Sequence, residues 1–124
     1  MRRAQPSAIT CTAALFYIFF SFKTASAILS TEWQRFSEGE QLVYIMGVAD
    51  QLTMIAGHIR DNGGARTATE QAVVDRSNCA LNRRLTYRQL HGILQDYLNT
   101  YPDKAGFGTP SNFLAALGKY CGQY

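Results

Sequence analysis

Ser37-Glu38-Gly39-Glu40-Gln41-Leu42-Val43-Tyr44-Ile45-Met46-Gly47-Val48-Ala49-Asp50, continuing as Gln51-Leu52-Thr53-Met54-Ile55-Ala56-Gly57-His58-Ile59-Arg60, is the stretch that decides the fold. It opens with a capping box. The Ser37 hydroxyl can accept from the backbone N–H of Glu40 while the Glu40 carboxylate reaches back. Leu42, Ile45, Met46, Ala49, Leu52, Ile55, Ala56 and Ile59 then recur at steps of three and four, which is one helical stripe. The spacing predicts a helix from about Glu38 to Arg60, stopped by Asp61-Asn62-Gly63-Gly64.

Downstream the same grammar repeats. Thr86-Tyr87-Arg88-Gln89 is a second capping box. Leu90, Ile93, Leu94, Tyr97, Leu98 and Tyr101 supply the next stripe, and Pro102 disfavours helix in the residue before it. A helix over Tyr87 to Thr100 follows. Thr109-Pro110 begins a third, with Pro110 as its first helical residue and Phe113, Ala116, Leu117 and Tyr120 as its buried side. Residues 61 to 84 are mostly polar; Ala72, Val73 and Val74 give Thr69 to Asp75 enough to bury for a helical turn or two. Leu29 to Arg35 reads as short and partly ordered. No alternating strand pattern of useful length occurs. The predicted class is all-α: a small single-domain bundle of three to four helices with one disulfide. Leu, Ile and aromatics such as Tyr44, Tyr97 and Phe113 are the expected core.

Upstream, Arg2-Arg3 precede a nearly uncharged apolar run from Ala8 to Phe22, then Lys23 and Ala25-Ser26-Ala27. This is the order of a secretory signal peptide with cleavage after Ala27, and the run is shorter than the ~20 residues that span a bilayer. Of 124 residues, removing 27 leaves 97, enough for one small domain. The expected place of work is the periplasm, with no membrane attachment after cleavage. The 12 Lys+Arg and 9 Asp+Glu of the whole chain become 9 and 9 once Arg2, Arg3 and Lys23 leave. A neutral domain has no electrostatic footprint for nucleic acid. A core this thin would gain from homodimerisation.

Cys79 and Cys121 survive cleavage. In an exported chain two cysteines allow a single intramolecular pairing, worth about 4 kcal/mol in the chain-entropy description. Zinc would need more ligands at short spacing, and a redox pair would show C-x-x-C. His58 and His91 fall on different predicted helices with no third residue to orient a catalytic pair. Asp50 interrupts an apolar helix, as a solvent-facing carboxylate or as a buried one bonded to a neighbouring element. Gly63-Gly64 lacks the preceding strand and following Lys-Ser/Thr of a phosphate loop. No catalytic residue, metal or cofactor is expected, and the chain does not read as an enzyme.

The string Tyr44-Ile45-Met46-Gly47-Val48-Ala49-Asp50 resembles the Y-I-x-G-x-x-D core of the Rap/Tai immunity proteins. Cys79, Thr86-x-x-Gln89-Leu90, Tyr97-Leu98, Tyr101-Pro102, Ala116-Leu117 and Tyr120-Cys121 follow in that family's order, covering about Gly39 to Cys121. The resemblance implies a small helical periplasmic protein of Gram-negative bacteria, often dimeric, that blocks a peptidoglycan amidase toxin delivered by type VI secretion. It departs from the family in lacking a further cysteine pair near the first helix and in its unmatched connector, Asp61 to Asn78. That connector, with Arg66, Arg83 and Arg84, is either the partner-facing surface or a plain crossover. A second reading is an acid-stress chaperone resembling HdeA, also small, helical, exported and held by one disulfide; a third is an envelope accessory protein.

Overall fold

The computed structural model describes residues 28–122, so the expected signal peptide, residues 1–27, lies outside the described residues. The described residues form five α-helices and one 3₁₀ helix: α1 Ser30–Trp33, α2 Glu38–Asp61, α3 Ala68–Asn82, α4 Tyr87–Thr100, the 3₁₀ helix Pro102–Gly106, and α5 Thr109–Gly122. The protein is all-α, with Cys79 and Cys121 joined in a disulfide across a Cα–Cα distance of 6.3 Å.

Each long helix begins where its cap dictates. Ser37 accepts from the Glu40 N–H while Glu40 accepts from the Ser37 N–H at 2.9 Å, and Thr86 and Gln89 repeat the exchange at α4. α2 packs against α3 and α4, and α5 closes the bundle against the other faces of both. Trp33, Ile45, Leu94, Leu98, Phe113 and Leu117 are almost completely buried where the helices meet. Each such side chain contributes about 1.5–3 kcal/mol of hydrophobic stabilisation.

The structure corrects three expectations. First, α3 is a full 15-residue helix, not a turn or two over Thr69 to Asp75. A third capping box, Thr67 with Glu70, nucleates it: Glu70 Oε2 accepts from the Thr67 N–H at 3.1 Å and from the Arg66 N–H at 2.6 Å. The connector is therefore regular helix for most of its length, with Val74 and Ser77 buried. Second, the segment after Ala27 is firmly docked. Thr109 donates to the Ile28 carbonyl through both its N–H and its hydroxyl, each at 2.8 Å, and Trp33 is wholly enclosed. Third, Met46 and Ile55, read as part of the buried stripe of α2, are exposed, while Gln41 takes an inside position. Of the expected aromatic core only Phe113 is fully buried; Tyr44 and Tyr97 pack partly buried at its edge.

Gln41 succeeds inside because its polar atoms are satisfied. Its Nε2 donates to the Phe36 carbonyl at 3.0 Å, and its Oε1 accepts from His91 Nε2 at 2.8 Å. An amide oxygen only accepts, so in this hydrogen bond the proton sits on His91 Nε2.

Candidate partner-binding surface

α2 is apolar on two sides. Ile45, Ala49, Leu52 and Ala56 face the core. Val43, Gly47, Asp50 and Met54 recur at steps of four, three and four and therefore share the opposite side. Val43 is 68% and Met54 69% exposed. A Cβ built on Gly47 would meet nothing within 4 Å, so no neighbour among the described residues requires the glycine there. Glycine in a helix interior costs about 1 kcal/mol relative to alanine. Apart from Asp50 the stripe is thus smooth and apolar, and Val43 and Met54 are uncovered among the described residues. By length and composition α2 could cross a membrane, yet one of its sides supplies the core stripe.

Asp50 sits in the middle of this side. Of the two placements open to it, the structure shows the first: the carboxylate is exposed, and its Oδ1 accepts from the Tyr87 hydroxyl at 2.6 Å. That hydrogen bond, and then the carboxylate's charge, push the phenol above its ordinary value of 10. Tyr87 in turn fixes the start of α4 against the middle of α2.

The three arginines expected to face a partner do not form one patch. Arg66 precedes α3, with its Nη2 donating to the Asn62 carbonyl at 3.1 Å. Arg83 and Arg84 follow α3, and a helix of this length spans roughly 22 Å. Arg83 lays its guanidinium 5.1 Å from the centre of the Tyr120 ring. Arg84 has φ 51°, the left-handed region that favours glycine. Its N–H bonds to the Leu81 carbonyl, and the Leu85 N–H to the Ala80 carbonyl, each at 3.0 Å. This is a Schellman ending with arginine in the glycine position.

The other motif residues serve the frame. Thr86 and Gln89 cap α4; Leu90 and Leu98 are buried; Tyr44 and Tyr97 flank the core; Pro102 opens the 3₁₀ helix. Arg76 approaches α5 so closely that a Cβ on Gly118 would lie 2.7 Å from its Nη2. His58 is exposed at the end of α2, and His91 is buried on α4, its ring 5.5 Å from that of Trp33. Burial holds His91 below its ordinary value of 6.5. Among the described residues no group of three or more His, Cys, Asp or Glu side chains is arranged to hold a metal ion.

Sequence reasoning named Gly47 and Asp50 but not their shared outward side, and it missed the conformation of Arg84. The signal for the latter was available: Asn82-Arg83-Arg84 is a short polar stretch between Leu81 and Leu85 that ends two residues before the Thr86 cap. Comparisons of the chain with family models, with curated proteins and with solved structures each return no match.

Proposed function

We propose that this chain is an exported binding domain that catalyses nothing itself and protects its host by covering the active site of a peptidoglycan amidase, as the Rap/Tai resemblance implies. The observation that carries the reading is the outward side of α2, where Val43 and Met54 stand exposed on either side of Gly47 and the bonded Asp50. An apolar, smooth helix side with one fixed carboxylate suits a protein surface, since interface cores are apolar and poor in charge. Rigid presentation lowers the ordering cost of binding.

Affinity purification of the tagged mature protein from the native periplasm at neutral pH, followed by mass spectrometry and a cell-wall hydrolysis assay, tests this. The expected result is one stoichiometric hydrolase, inhibited by the wild type and released by Val43→Asp or Met54→Asp. A hydrolase still held by both variants would remove α2 from the interface. The acid-chaperone reading is favoured by one observation, the buried His91: burial holds it below its ordinary value, so the unfolded chain takes up a proton more readily than the folded one. Capture of many clients, and only at low pH, would replace the first reading with that one.

A further inference from the structure

We propose that the cleft between α2, the end of α3 and the start of α4 binds a small organic cation with an apolar body. The cleft shares Asp50 and Met54 with the outward side of α2, but the inference does not rest on the amidase reading. The cleft has a volume of about 460 Å³. That lies within the roughly 300–1,000 Å³ of small-molecule sites and exceeds what one inserted side chain would fill. Its walls are the inward faces of Leu52, Leu90, Phe113 and Leu117, so it reaches into the core.

Two polar features fix what it would take. Among the described residues that line it, Asp50 is the only charged one. Its hydrogen bond from Tyr87 is neutral, and the ion pairs among the described residues, Arg88–Glu38 and Lys104–Asp103, leave its charge uncompensated. A carboxylate beside apolar walls repels anions and attracts cations, and Tyr87, which also lines the cleft, adds an aromatic ring of the same preference. Ser77 also lines the cleft; it is 1% exposed, and its Oγ has no hydrogen-bond partner among the described residues. A buried hydroxyl left unpaired is unfavourable, and a ligand group that donates to or accepts from it removes the cost. The ligand class follows: an ammonium at Asp50, an aromatic or aliphatic body along the walls, and a hydroxyl or carbonyl for Ser77.

Tyramine carries all three parts; phenethylamine lacks the hydroxyl, and 3-(4-hydroxyphenyl)propionate reverses the charge. Titration of the disulfide-bonded protein with each, followed by amide NMR, tests the assignment. Tyramine should bind saturably with Kd below about 10 mM. Its shifts should centre on Asp50 to Met54 and Ser77 to Leu81. Phenethylamine should bind about threefold and the propionate about tenfold more weakly. Asp50→Asn should cost tyramine about tenfold, and Ser77→Ala should erase the preference over phenethylamine while raising the Tm of the free protein. No saturation, equal binding of the anion, or shifts elsewhere would overturn the proposal. So would a Ser77→Ala protein that melts lower and keeps the preference, because the hydroxyl would then be serving the fold.

Discussion

α2 and α3 end in the same hydrogen-bond pattern with opposite residues. After α2 the Gly63 N–H reaches the Arg60 carbonyl at 3.4 Å and the Gly64 N–H the Ile59 carbonyl at 2.9 Å, with Gly63 at φ 96°. After α3 the equivalent bonds surround Arg84 at φ 51°. Glycine enters this conformation freely, whereas an L side chain brings its Cβ against the backbone. The first ending is locally stable. The second is held from outside, by the Cys79–Cys121 disulfide one turn earlier and by Arg83 on Tyr120. Strain persists where surroundings over-determine the backbone, and such places tend to be functional.

The largest effect that could break this comparison comes from the tie itself. Reduction, or Cys79→Ser with Cys121→Ser, should cost about 4 kcal/mol, lowering the calorimetric Tm by roughly 15–30 °C. Amide hydrogen exchange should then quicken more at 80–85 than at 59–64; equal acceleration would show that the disulfide does not hold the strained end. Next, Gly63→Arg should reproduce the strain at the other helix and cost about 1–2 kcal/mol in urea unfolding. Arg84→Gly should gain about 1 kcal/mol in the same experiment, since it removes the strain at some cost in unfolded-state entropy. If the more stable Arg84→Gly protein also loses its partner, the arginine is retained for contact. The smallest effect belongs to neither end. The folded state holds His91 below 6.5, so between its folded value and 6.5 the unfolded chain binds more protons. Stability should be flat in this respect above pH 6.5 and decline as the pH falls below it. His91→Gln should flatten that acid limb without touching either helix end.

How much was legible in the chain depends on how far each signal was local. α4 runs over Tyr87–Thr100 as predicted, because the Thr86–Gln89 box and Pro102 mark both limits within a few residues. The start of α2 and its stop at Asn62-Gly63-Gly64 are equally local. α3 was under-read because its box, Thr67 with Glu70, stands among other polar residues and one of its two fully buried positions is a serine. The outward side of α2 was illegible for a different reason. Apolar residues occur all round that helix, so periodicity alone chose a stripe that included Met46 and Ile55; which side is covered depends on where α3, α4 and α5 dock. Trp33 and Gln41 became core residues through contacts with Phe36 and His91 that no spacing rule reports.

The bond between Cys79 and Cys121, 42 residues apart in sequence, also makes the chain a loop with a tail. α4, the 3₁₀ helix and nearly all of α5 lie inside the loop; α1, α2 and most of α3 lie on the tail. Under tension applied at the two ends, the looped residues cannot pay out, and the contour would fall short of the full chain by roughly 140–150 Å. Added reductant would release that hidden length in a single step, so a force trace would report the redox state of one molecule directly.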